Sequence, residues 1–251
     1  MKPSLLLALI TLPIIFIIIN GYQDTLTENK FIINTYMYIL LAILTIANTV
    51  MFLNENNEIA NNIFSSSTKF FALFILLMTS LFVTLLTDRK SYIIKHISWL
   101  IFIMLIGISS YPSVKHSLDK GKFWQIIVTI SCIVGILSYL AFTHSLDKFT
   151  SWGNSLTLIL FALIIFESID ILFSNIESKG FMDRTKIYAW IGIILFSGFI
   201  LYDTQKIILH GKAYAQLCKG QKQLGCVDYP TESVGVVLDL VNMFNSVSHV
   251  S

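Results

Sequence analysis

Charge is what this sequence has least of. Asp, Glu, Lys and Arg make up 13% of its 251 residues, about half of the ~25% usual in a soluble domain. No polar stretch is long enough to fold alone, which excludes a separate soluble domain. The net charge of +2 is too close to neutral to draw nucleic acid, so no nucleic-acid partner is expected. Cysteine is scarce: Cys132, Cys218 and Cys226 are too few for a disulfide framework. Cys132 reads as a small core residue in an apolar run. Cys218 and Cys226 share one loop and pair only if that loop faces an oxidising lumen. Asn-x-Ser/Thr sequons, internal repeats and low-complexity segments are all missing. The histidines (His96, His116, His144, His210, His249) show no metal-ligand spacing and read as interfacial.

What is present instead is hydrocarbon. Hydrophobic residues reach 55%, with a mean hydropathy of +0.74, gathered into runs at roughly 31–53, 68–87, 92–110, 123–143, 154–174 and 187–209. Each is about 20 residues, enough at 1.5 Å per residue to cross a hydrocarbon layer of about 30 Å. Backbone groups cannot stay unpaired in lipid, so the runs must be helices. Asn54 to Glu58, Tyr111-Pro112-Ser113, Ser178-Lys179-Gly180 and Gly211 to Tyr229 read as connectors. Pro230 and Glu232 suit the first turn of a last helix. There Gly235, Asp239, Asn242 and Ser246 form one stripe against Val237, Leu240, Val241 and Phe244. Such a helix is expected to be enclosed by the others rather than to lie on the membrane surface, because its polar side lacks basic residues. Trp99, Trp124, Trp152 and Trp190 suit an aromatic belt.

The expected fold class is therefore all-α, a polytopic membrane helical bundle with the lipid bilayer as its first partner. Residues 1–21 form an N-terminal hydrophobic segment, read as an extra transmembrane helix in preference to a signal peptide because its small-residue cleavage site is poor. Residues 22–251 form the main membrane domain. With eight spans, eight Lys and Arg fall on one side and nine on the other, 17 together, so the positive-inside rule sets no orientation.

Against this background a buried carboxylate is conspicuous. Asp203 sits in an apolar run, and ionisable groups at such depth usually mark an ion path, a proton relay or a site of chemistry. Asp203 precedes Gly211 by about as much as Asp239 follows Pro230, which puts both about 12 to 13 Å in from the same face. Two ionised carboxylates in a low-dielectric site repel, so the pair is expected to share one proton near neutral pH. A shared proton ties the helices together; losing it loosens the tie and offers oxygen ligands to a cation, with calcium the natural candidate. Tyr202, Gln205 and Asn242 are expected to support the pair. Glu167 and Asp170, one turn apart, approach from the opposite side and would extend an acidic path.

The segments L-Y-D-T-Q-K at 201–206 and V-V-L-D-L-V-N-M-F at 236–244, with D-Y-P-T-E-S ahead of the latter, resemble the Bax-inhibitor (transmembrane Bax inhibitor motif) family. The resemblance implies a seven-helix bundle with the last helix central. It also implies a di-aspartyl pH sensor, here Asp203 and Asp239, regulating a calcium leak linked to restraint of cell death. No cofactor is implied, calcium being the permeant ion; membrane proteins of the cell-death machinery are implied partners. The expected location is the ER, Golgi, mitochondrial inner or plasma membrane. The family's early-helix arginine has no counterpart within 68–87; Arg89 lies just beyond, and Arg184 elsewhere.

Two other functions fit the same residues. An intramembrane aspartyl protease also uses two aspartates, the first in a Y-D pair like Tyr202-Asp203, with chemistry suited to activating water. Its second aspartate follows G-x-G, where this chain has Val236-Val237-Leu238, and a later P-A-L motif is missing, so no enzyme activity is expected. A non-conducting protein that restrains death signalling through membrane partners is the second alternative. Proton-coupled transport lacks its signature of inverted repeats and broken helices.

Overall fold

The computed structural model describes residues 13–16, 26–145, 147–173, 179–219 and 226–251. Apart from the helical residues 13–16, the N-terminal segment 1–21 lies outside them. The described elements are α1 (Glu28–Glu55), α2 (Asn57–Ile63), α3 (Ser67–Leu86), α4 (Tyr92–Asp119), α5 (Phe123–Thr143), α6 (Asp147–Thr150), α7 (Gly153–Phe173), α8 (Lys179–Leu217) and α9 (Tyr229–Val250). All are helices, and no strand occurs among the described residues. Six are long and apolar enough to cross a membrane. The seventh long helix, α9, has 22 residues, about 33 Å, but is more polar.

The helix ends follow local chemistry. The Thr27 hydroxyl accepts from Lys30 N at 3.3 Å to start α1, and Ser66 accepts from Lys69 N at 3.3 Å to start α3, each as an N-cap. Asn56 separates α1 from α2 and donates its side-chain amide to Phe52 O at 2.8 Å. Gly121, at φ 68°, turns the chain from α4 into α5, a left-handed conformation that glycine adopts without strain. Asp228 Oδ1 accepts from Thr231 N at 3.2 Å and caps α9.

Burial is inverted relative to a water-soluble protein. In α3 the buried residues are Ser80 and Thr84, while Phe70, Phe71, Phe74, Phe82 and Leu86 are exposed. Only a lipid environment makes that arrangement favourable, and the chain is an integral membrane protein. Several hydroxyls inside the spans donate to carbonyls one turn back, as in Thr49 to Thr45 O at 2.9 Å and Thr84 to Ser80 O at 2.8 Å. On α9 only His249 is exposed, in keeping with an enclosed helix.

Several expected connectors are helical. Helix α4 continues through Tyr111-Pro112-Ser113; transmembrane helices tolerate proline where neighbours satisfy the freed carbonyl. Helix α8 begins at Lys179 and runs on to Leu217, absorbing Gly180 and Gly211. At Gly211 an added Cβ would lie 3.2 Å from Phe31 Cδ1, so the glycine serves helix packing rather than a turn. Cys132 is exposed, not a core residue. Trp99 is buried at 2% exposure, not in an aromatic belt, because its indole Nε1 donates to Ser233 Oγ at 3.1 Å.

The described chain groups into two compact units, residues 1–115 with 210–237, and residues 116–209 with 238–251. The first is built on aromatic rings: Tyr38 stacks on Tyr229 at 5.3 Å and meets Trp99 edge-on at 5.6 Å. Phe31 lies against Tyr214 at 5.2 Å. A smaller apolar cluster joins Val50, Leu53, Ala60 and Tyr111. The second unit centres on Ile126, Ile130, Phe196, Ile200, Met243 and Val247, with Leu156, Leu163 and Leu195 as a satellite.

Close helix approach gives a prediction of opposite signs at two glycines. A Cβ on Gly107 would lie 2.8 Å from Thr49 Cβ, an atom fixed to the α1 backbone, so Gly107→Ala must push α1 and α4 apart at about 1–3 kcal/mol. A Cβ on Gly135 meets nothing within 4 Å, and Gly135→Ala gains up to about 1 kcal/mol of helix propensity. Thermal melts of the two variants in detergent should move in opposite directions.

Candidate functional site

Asp203 on α8 and Asp239 on α9 both belong to the second unit. Each sits about one helical turn from a fully buried member of its apolar cluster, Ile200 on α8 and Met243 on α9. The Asp239 side chain lies close enough to that of Asp203 for the two acids to interact. Asp239 is 6% exposed, and its Oδ2 has no hydrogen-bond partner among the described residues. Thr204 Oγ1 on α8 and Asn245 Oδ1 on α9 are likewise buried without a partner. Unpaired buried oxygens call for water, an ion or a protonation change.

The residues expected to support this pair are placed variously. Gln205 is fully buried, but its amide serves another element: Oε1 accepts from Phe149 N at 2.9 Å and Nε2 donates to Ser145 O at 2.9 Å. It thereby holds the α5–α6 turn, whose free backbone groups need partners. The Tyr202 ring packs over Gly153, where an added Cβ would come within 2.7 Å of Cε2, and Lys206 Nζ lies 6.0 Å from its centre. Asn242, half-buried, is one turn beyond Asp239 on α9. Asp170 accepts from Arg184 Nε at 2.8 Å and from the Tyr188 hydroxyl at 2.7 Å. Asp170 therefore pins α7 to α8, and Arg184 is engaged there. Glu167 is half-buried on the same helix as Asp170.

A site outside that list stands in the first unit. Lys95 is 2% exposed, with Nζ 2.9 Å from Asp228 Oδ2 and donating to Thr87 O at 2.9 Å. Beside it the Tyr38 hydroxyl and His96 Nε2 lie 2.7 Å apart. His210 Nδ1 meets Glu232 Oε2 at 2.7 Å. Close by in sequence, Cys218 and Cys226 form a disulfide. Lys95 has the look of a helix-end cation in sequence, and only its partner, far along the chain, marks it as buried.

As a metal centre the aspartate pair is incomplete. Calcium takes about six to eight oxygen ligands, and no group of three or more His, Cys, Asp or Glu that could hold a metal occurs among the described residues. In comparison with known proteins, a family model described as "Inhibitor of apoptosis-promoting Bax1" matches residues 28–250. No curated protein and no solved structure matches the chain.

Proposed function

Because the chain belongs to the Bax inhibitor family over residues 28–250, we propose that it is a pH-modulated calcium leak pathway of a cellular membrane, linked to restraint of cell death. The observation that carries this reading is the contact between the Asp203 and Asp239 side chains in apolar surroundings. Two adjacent carboxyls in a low-dielectric site do not both ionise readily, and one proton between them joins α8 to α9. When that proton leaves, two like charges face each other, the tie becomes a repulsion, and carboxylate oxygens become available to a cation. The unpartnered oxygens of Asp239, Thr204 and Asn245 support a hydrated lining along these helices. Calcium in this reading is cargo, held by no protein cage, and the role of the two acids is gating rather than catalysis.

The test is calcium flux through liposomes carrying the full chain, across a pH series. Wild type should show a pH-dependent leak, and the Asp203→Asn/Asp239→Asn double variant should lose the pH dependence. Equal leak from the two proteins at every pH overturns the proposal. The description of the family as an inhibitor of apoptosis-promoting Bax1 favours a second reading, a non-conducting protein that acts on membrane partners of the death machinery. Full cell protection by a double-Asn variant that passes no calcium would establish it. The Cys218–Cys226 disulfide supports a membrane with one oxidising face, as the ER and cell-surface membranes have.

A further inference from the structure

The first unit holds a cleft of about 250 Å³ lined by Arg89, His210, Ala213, Tyr214, Leu217 and Glu232. Its polar groups are disposed for an anion. Arg89 and Tyr214 both line the cleft, and among the described residues Arg89 forms no ion pair with a carboxylate. A guanidinium has five N–H donors and no acceptor, and a phenol carries one O–H donor, so both side chains can donate to an anion in the cleft. The acid in the cleft is already engaged, since Glu232 accepts from His210 Nδ1 at 2.7 Å. That contact holds a negative charge against an imidazole rather than against Arg89.

The level of the cleft and its rim indicate where the anion comes from. Arg89 lies in the charged turn Asp88-Arg89-Lys90, just past the end of the apolar span Ser67–Leu86, where headgroups meet hydrocarbon. On either side of that turn in sequence, Leu86 is 81% exposed and Ile93 71%, and Leu217 on the cleft wall is 57% exposed. A soluble anion would gain nothing from these, whereas acyl chains would cover them. We propose that this cleft binds the phosphate of a glycerophospholipid headgroup. The Arg89 fork and the Tyr214 hydroxyl are the donors to its oxygens, and the acyl chains lie along Leu86, Ile93 and Leu217. Planar guanidinium matches phosphate geometry with paired hydrogen bonds, which an ammonium group does not.

The full chain, stripped of lipid in detergent, is titrated with phosphatidylglycerol or with diacylglycerol of the same acyl chains, and bound lipid is counted by native mass spectrometry. Wild type should retain phosphatidylglycerol over diacylglycerol. Arg89→Gln should weaken that retention about tenfold, as loss of one charged, desolvated partner does. Arg89→Lys should fall between, and Lys90→Gln, beside the cleft, should match wild type. Tyr214→Phe keeps the ring that packs on Phe31 at 5.2 Å and removes only the hydroxyl, so a severalfold loss there supports the site even where Arg89 variants misfold. Equal retention by wild type, Arg89→Gln and Tyr214→Phe overturns the proposal, as does equal binding of the two lipids. Displacement of the phospholipid by inorganic phosphate alone would assign the cleft to the free ion and overturn the lipid assignment.

Discussion

Asp228→Asn should cost the protein about 3 kcal/mol of stability, because it leaves the Lys95 ammonium buried with no counter-charge. Lys95 is 2% exposed and Asp228 16%, so Lys95 has no route to water when its partner is neutralised. The Thr87 carbonyl still accepts from it at 2.9 Å, which holds the loss to the lower end of the usual 3–5 kcal/mol for a broken buried pair. Asparagine is the informative replacement because its side-chain oxygen can still accept from Thr231 N, now bonded to Asp228 Oδ1 at 3.2 Å. The α9 cap is thus kept, and the charge alone is removed. For a chain of this size the loss is about 6 to 12 °C in Tm. Adding Lys95→Met to Asp228→Asn removes the orphaned charge while keeping an unbranched apolar stem, and the double variant should recover most of the loss. If Asp228→Asn melts within about 1 °C of wild type, the pair is not buried as described.

That ion pair also marks where reading the sequence stops working. A lone carboxylate in an apolar run, such as Asp203, is legible because composition and depth both flag it. The arithmetic that sets Asp203 level with Asp239 takes its helix to end at Gly211, whereas α8 runs on to Leu217, so the equal depths it gives rest on a misplaced helix end. Lys95 carries no such flag. It sits four residues into α4, where a cation at a helix end is ordinary, and its burial depends on Asp228 beyond three intervening spans. Trp99 misleads for the same reason: an aromatic near a span end suits the interface until Ser233 supplies a buried acceptor. Proline at 112 and glycine at 211 read as punctuation because in water they interrupt helices. In lipid the backbone must stay paired, and neighbouring helices use a glycine for close approach. Gln205 stands next to the motif aspartate but serves Phe149 and Ser145, contacts that no spacing rule along α8 reveals.

Loss of the Cys218–Cys226 bond is the second large effect expected. The sequence separation of 8 closes a short ring, and chain entropy alone assigns it about 2.5 kcal/mol. Both half-cystines are buried, at 0% and 5% exposure, between the end of α8 and the start of α9. The Cys218→Ser/Cys226→Ser variant should therefore melt lower than wild type, and dithiothreitol should lower wild type to the variant's level without moving the variant. Thiol counting supplies an independent check. Alkylation of the denatured, unreduced protein from cells should label Cys132 alone, and reduction should expose Cys218 and Cys226 as well. Labelling of all three without reduction would show that the bond does not form. Its formation decides an orientation that charge leaves open, because a disulfide persists only toward an oxidising compartment. Lys219, next to Cys218, and Lys212 near the end of α8 pull the other way under the positive-inside rule, which counts such residues as cytoplasmic. The two signals disagree, and the covalent one takes precedence: a few lysines bias insertion by small increments, whereas a persistent disulfide requires its compartment.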